Sequence, residues 1–281
     1  MFQVLIFITI FLTGLAVGSF LNCIIYRLEK NESFLKGRSY CPHCKHILSW
    51  GDLIPIFSFL ILRGKCRYCH KKISWQYPLV ELATGILFFS IFYSTFQHSN
   101  TPTFQQFIQF LYLSIVSCFL IIIFVYDLKH YLIPDKVIYP AIGIAFIYRL
   151  FEILNFAHWD LFVIWNLGFW ISKPILYPLA SAIFAATFFL VIFLLSRGRW
   201  LGFGDVKLGF LIGLFLGFPK TLVALFFAYL IGAIIGIELV LAKKKTLKSE
   251  VPFGPFLAAG TFIALFWGQV LIDWYFRFFM I

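Results

Sequence analysis

The chain has 281 residues, of which 62% are hydrophobic and only 12% charged, and its mean hydropathy is +0.93. Soluble domains carry about 25% charged residues, so the composition excludes a water-soluble globular enzyme and fits a polytopic membrane protein. In such a chain the net charge of +11 reads first as membrane topology and not as affinity for nucleic acid.

Apolar runs of about 20 residues predict eight spans, at 2–25, 77–97, 104–126, 135–154, 175–196, 206–218, 221–241 and 254–277. The first carries no basic leader region and no small-residue cleavage site, and runs on through GSFLNCIIYRL (18–28). It is therefore expected to be retained as a membrane helix and not removed as a signal peptide. The expected fold is an all-α polytopic membrane protein of about eight transmembrane helices, with one small polar module between helices 1 and 2. The chain accordingly divides into 1–27, the first helix; 28–76, the module; and 77–281, the remaining membrane region.

The module holds CPHC (Cys41, Cys44) and CRYC (Cys66, Cys69), separated by 21 residues. A Cys-x-x-Cys turn grips one metal through two thiolates, and two such turns make a closed tetrahedral site of the structural zinc kind. A disulfide pair and an iron–sulfur cluster are the weighed alternatives; the first conflicts with a reducing compartment. That compartment follows from the cations. Of the 23 Lys and Arg, ten lie in 27–76, two in 127–136, three in 197–207 and four in 243–248, leaving Arg149, Lys173, Lys220 and Arg277 for the other side. The positive-inside rule puts the rich loops and the module in the cytosol, and both termini outside.

Twelve carboxylates are few enough to enumerate. Glu29, Glu32, Asp52, Glu152, Asp160, Glu250 and Asp273 fall in or near loops and read as solvated. Glu81, Asp127, Asp135, Asp205 and Glu238 fall at or just inside expected cytosolic helix ends, where ionisable groups are functional suspects. Asp127 closes the third span in FVYDLKHYLIPD, and Asp205 opens the sixth in WLGFGDVKLG. Two carboxylates at one depth can share a proton, one serving as base on a water and the other polarising a carbonyl. The alternatives stay open at this point: Asp205 as a helix cap, Asp127 paired with Lys129 or a nearby Arg, and Asp135 as the cap of the helix after Pro134. Gly202 and Gly204 let the backbone before Asp205 approach another chain closely. Gly209, Gly213 and Gly217, spaced by four, suit close packing of a short sixth span. The six histidines show no HExxH, and the sequence has no GxSxG and no Walker A loop. Metalloprotease, serine hydrolase and ATPase chemistry are therefore disfavoured.

These motifs together resemble the prepilin peptidase (type IV leader peptidase) family. GSFLNCIIYRL is similar to the family's GxFLNVxIxRLP, CPHC…CRYC to its zinc-binding segment, SWGDLIPIFSFLILRGKCRYC with ISWQYPLVELATG to its link into the second span, and D…IPD and GFGDVKL to its two aspartate motifs. The likeness runs from about residue 14 to 260, with Cys23 where Val is common and Glu29 where Pro is usual. It implies an intramembrane-type aspartyl endopeptidase of the bacterial inner membrane, within 77–281. Its substrates would be type IV prepilins or pseudopilins, cut at the cytosolic surface, and no nucleic acid is expected as a partner. It further implies S-adenosylmethionine-dependent methylation of the new N-terminal residue, associated with 28–76. By the resemblance Asp127 and Asp205 are the catalytic pair, supported by Gly202, Gly204, Lys207 and Asp135. The candidates for methyl transfer are Glu81, Asn22, Arg27, Asp52 and Gly64. Glu81 is the leading one, to hold the new α-amino group, against an ion pair with Arg27 or Lys72. The competing readings are a peptidase without methylation and a membrane transporter or assembly scaffold with a structural zinc loop.

Overall fold

A computed structural model describes residues 2–33, 37–97, 103–157, 172–243 and 251–279 of the chain, with the side chains of 2–3, 153–157, 172–176 and 279 left aside. Asp160, Glu250, Lys244, Lys245 and Lys248 lie outside the described residues, as does the side chain of Lys173. The elements in chain order are α1 (Phe2–Glu29), α2 (Phe57–Ile61), α3 (Gln76–Phe96), α4 (Phe104–His130), α5 (Asp135–Ala157), α6 (Ser172–Ser196), α7 (Phe203–Leu216), α8 (Lys220–Leu241) and α9 (Gly254–Phe279). The described residues contain no strand, only two isolated antiparallel bridges in the module.

Each expected span coincides with a helix, though not all eight helices have the length and hydropathy of a spanning segment within the described residues. Among the described residues, six helices are long and apolar enough to span: α1, α3, α4, α6, α8 and α9. Helix α7 has 14 residues and rises only about 21 Å, short of a hydrocarbon core of about 30 Å. Helix α5 carries Asp135, Lys136, Arg149 and Glu152. The last two have a purpose inside the bundle: Arg149 donates to the Leu214 and Phe215 carbonyls at 3.0 and 2.7 Å and pairs with Glu152 at 2.7 Å. It thus satisfies orphan carbonyls at the C-terminus of α7, where a cation is also favoured by the helix dipole.

The chain forms two compact units, Met1–Ile122 and Ile123–Ile281. In the first, α1 packs along α3 through glycines that bring the backbones together. A Cβ on Gly14 would meet Gly85 Cα at 2.8 Å, and one on Gly18 would meet Glu81 Cα at 2.7 Å. Lipid gives apolar side chains no drive to associate, so such small-residue contacts supply the packing.

In the second unit α7 is the centre. Its residues Asp205, Val206, Leu208, Gly209, Leu211, Ile212, Gly213, Leu214 and Phe215 are buried, as expected of a helix apolar all round. Gly209 and Gly213 admit α6: a Cβ on Gly209 would meet Phe189 at 2.5 Å, and one on Gly213 would overlap the backbone of Ala182. Gly217 does something else, ending α7 with φ +69. Helices α8 and α9 pack closely, Gly260 lying against the backbone of Ala224.

Candidate active site and metal centre

In the first unit the two Cys-x-x-Cys turns repeat one local design. Cys41 N–H donates to His46 O and Cys66 N–H to Lys71 O, both at 2.9 Å; Lys45 N–H and His70 N–H return to the carbonyls of Cys41 and Cys66 at 3.0 Å. Lys45 and His70 hold matching left-handed conformations, φ 60 and 56, and the bridges Tyr40–Ile47 and Lys65–Lys72 close each turn. The four sulfurs lie within 4.8 Å of one another, Cys41 Sγ and Cys69 Sγ at 3.9 Å. A tetrahedron with metal–sulfur bonds of about 2.3 Å has sulfurs about 3.8 Å apart, so the spacing fits one metal and is far too long for a disulfide. Burial alone would push the Cys41 thiol up. Hydrogen bonds from the Cys44 and His43 backbone and the neighbouring thiols outweigh it and bring it down to about 7, which favours the metal-binding thiolate.

The residues considered for methyl transfer all lie in this unit, and each has a structural partner. Asn22 is buried, donating to Tyr77 O at 3.0 Å and accepting from Gln76 at 3.3 Å, a tie between α1 and the start of α3. Asp52, expected in solvent, is instead nearly buried, its side chain 4% exposed, because it joins the two halves of the module. It accepts from Ser49 N–H and Oγ at 3.1 and 2.7 Å, Arg67 at 2.6 Å and Tyr68 at 3.2 Å. Desolvation raises its carboxyl, but the Ser49 and Arg67 contacts more than offset that and hold it below the usual range. Gly64 turns with φ +68 above the Phe59 ring. Glu81 is buried and accepts from Ile56 N–H at 2.8 Å; no ion pair with Arg27 or Lys72 forms among the described residues. Arg27, also buried, donates to the carbonyls of Ser33, Gly37 and Arg38. It lines a cavity of about 570 Å³, shared with Glu32, Ser33, Arg38, Tyr40 and Lys45.

In the second unit Asp127 and Asp205 are brought together. Both are buried, 4% and 7% exposed, and close enough for the charge of one to act on the other. Asp205 sits in the first turn of α7, where its Oδ2 accepts the Gly202 N–H at 3.1 Å. The capping role is therefore real, and it uses one oxygen. Asp127 stands near the C-terminal end of α4, and its Oδ2 accepts the N–H of Gly254, the first residue of α9, at 3.0 Å. It pairs with no cation among the described residues. Each carboxylate thus takes a backbone N–H from a helix N-terminus, where anions are favoured, and keeps Oδ1 free of protein hydrogen bonds among the described residues.

The neighbouring chain is fixed around them. Gly204 lies close against Ile133: a Cβ there would stand 3.0 Å from it, so that Ile133 would have to give way. Asp135 opens α5 and pairs with Lys207 at 2.5 Å, while Lys207 lies 4.8 Å over the Tyr139 ring and 5.3 Å over Phe203. Glu238, the remaining suspect, is exposed near the end of α8. Two site residues escape sequence reasoning. Gly254 is one: a Cβ there would meet Asp127 Oδ2 at 2.6 Å. The Gly-Pro pair at the head of the last apolar run was the available sign of a tight helix start. Tyr229 is the other, within the field of Asp205 and 5.0 Å from Phe253; nothing marked it among 13 tyrosines.

Two family models match successive parts of the chain. Residues 12–95 match the Bacterial Peptidase A24 N-terminal domain, and residues 114–237 match the Type IV leader peptidase family. A Legionella pneumophila protein named prepilin leader peptidase/N-methyltransferase is 31% identical, covering 98% of this chain and 96% of its own. Proteins of the same name from Bacillus subtilis and Aeromonas hydrophila are 32% and 29% identical, over 95% and 96% of this chain and 97% and 94% of theirs. No solved structure matches.

Proposed function

The chain belongs to the type IV leader peptidase family, and on that premise we propose that it removes the basic leader of type IV prepilins or pseudopilins and methylates the new N-terminal residue. A non-enzymatic transporter or scaffold is not favoured. The observation that carries the peptidase half is the pair of buried carboxylates, Asp127 and Asp205, each held by a helix N-terminal N–H and each with one oxygen free. Two such groups cannot both ionise at close range. The ionised one takes a proton from a water, whose oxygen attacks the scissile carbonyl carbon. The protonated one donates to the carbonyl oxygen, and collapse of the tetrahedral intermediate sends a proton to the leaving amine. Gly202 and Gly204 set the approach of the loop, and the Lys207–Asp135 pair fixes the start of α5 beside it.

Zinc is the metal proposed for Cys41, Cys44, Cys66 and Cys69. Four thiolates leave it no open position, so its contribution is to the folding of the module. S-adenosylmethionine supplies the methyl group when bound. We assign its site to the cavity beside Arg27, where Arg27 and Arg38 suit a carboxylate, Glu32 an ammonium or ribose diol, and the Tyr40 ring an adenine face. Glu81 is proposed to receive the new α-amino group, and Asn22, Asp52 and Gly64 to hold the parts of the module in place. We place the peptidase within 77–281, the protein in the bacterial inner membrane, the module in the cytosol and both termini outside, on the strength of the cation bias. The test is a purified prepilin incubated with the enzyme in lipid nanodiscs, with and without methyl-deuterated adenosylmethionine. Leader loss in both and a deuterated methyl only with the donor are expected; leader loss without any methyl would leave a peptidase alone.

A further inference from the structure

Residues 53–62 read LIPIFSFLIL, ten residues with one serine and one proline as the only non-aliphatic, non-aromatic members. A stretch of about ten to fourteen apolar residues is too short to span, and belongs in a protein core or in the membrane interface. Here it is not in a core. Leu53, Ile54, Phe57, Leu60 and Ile61 are 38 to 76% exposed, and Trp50 and Trp75 beside them 84% and 69%. Only Phe59 turns inward, against Trp75 with ring centroids 5.0 Å apart.

The position of the segment says what covers it. Ile56 N–H, at the head of α2, bonds to Glu81, in the second turn of α3, at 2.8 Å. Helix α2 therefore lies alongside the first turns of a spanning helix, level with the exposed Leu79 and Leu82, and not stacked beyond its end. Cations follow the segment in the chain: Arg63, Lys65, Lys71 and Lys72 are exposed, as is Arg67, which pairs with Asp52, and no acidic residue falls between 53 and 80. Exposed Trp, Phe, Leu and Ile continuous with a lipid-facing helix surface, rimmed by cations, match the apolar boundary and anionic headgroups of a bilayer.

We propose that residues 53–62 form an interfacial segment that lies in the headgroup–acyl boundary and docks the four-cysteine module onto anionic lipid. The module is thus held down on the membrane surface, with Glu81 fastening the segment to α3.

The test is photocrosslinking of the full chain in nanodiscs of phosphatidylethanolamine and phosphatidylglycerol. p-Benzoylphenylalanine is placed singly at Ile61, at Phe57 and, as an exposed polar control, at His43, and adducts are identified by mass. Zinc content verifies folding of each variant, and the second position keeps the test valid if one variant misfolds. Lipid adducts at Ile61 or Phe57 several-fold above those at His43 are expected. Equal lipid yields at all three positions, or adducts at 61 and 57 to a second copy of the chain instead of lipid, would overturn the proposal.

Discussion

Asp127 and Asp205 each use one oxygen on a backbone N–H and keep the other free, the distribution expected of groups that must be positioned and still reach water and substrate. Asp127→Asn and Asp205→Asn are each expected to reduce cleavage by several orders of magnitude, and the double variant to be little worse, because the pair acts as a unit; kinetics on purified prepilin check this. Gly254→Ala tests the positioning separately. Its methyl would meet Asp127 Oδ2 at 2.6 Å, and a small misplacement of a reacting group costs on the order of a hundredfold. The variant should fold and cut about a hundred times more slowly. Asp52 offers a pH test. Its carboxyl is held below the usual range in the folded protein, so the stabilisation is present above the unfolded value, near 4, and is lost as pH falls through the lower folded value. The stability difference between wild type and Asp52→Asn should accordingly be greatest at neutral pH and vanish in acid, as read by thermal melts across pH. At this scale much was legible. The GxGD and D…IPD motifs picked out the two carboxylates that lie buried in the second unit, and the paired cysteines picked out the four sulfurs that cluster closely enough to hold one metal ion. Gly254 was not legible, because its importance comes from a contact 127 positions away in the chain that no local pattern encodes. Asp52 was misread as solvated because a loop carboxylate looks the same in sequence whether or not Ser49, Arg67 and Tyr68 close over it.

Among elements, close approach at glycines decides which helices pair. Gly213 faces the backbone of Ala182 and Ser181, which cannot yield, whereas Gly143 in α5 has open space around it. Gly213→Ala is expected to cost about 1–3 kcal/mol through overpacking, while Gly143→Ala should be neutral or stabilising by up to about 1 kcal/mol. Thermal stability of the two variants in one detergent gives the comparison. The sequence spacing of Gly209, Gly213 and Gly217 anticipated the α6–α7 contact but treated all three alike. The structure separates them, two for packing and one for a left-handed helix end. The span positions were legible because apolar runs are long. The runs alone do not decide which helices cross: α7 is short and buried within the second unit, α5 carries Arg149 and Glu152, and an apolar run of that length suits a crossing or a buried helix.

For the whole molecule, the division into Met1–Ile122 and Ile123–Ile281 puts the four-cysteine cluster and the proposed methyl-transfer residues in one unit and the carboxylate pair in the other. If the proposed zinc occupies the cysteine cluster, Cys66→Ser is expected to abolish a zinc content of one equivalent while leaving the helix content of the membrane bundle; elemental analysis and circular dichroism report these separately. The central claim is that two aspartates cut. It is tested most directly by the intact mass of a pilin co-expressed with the wild-type chain, with Asp127→Asn and with Asp205→Asn. The account predicts a pilin without its leader and bearing one methyl group for the wild type, and an uncut, unmethylated prepilin for both variants. A processed pilin from either variant, with the protein present in the membrane at wild-type level, would contradict it.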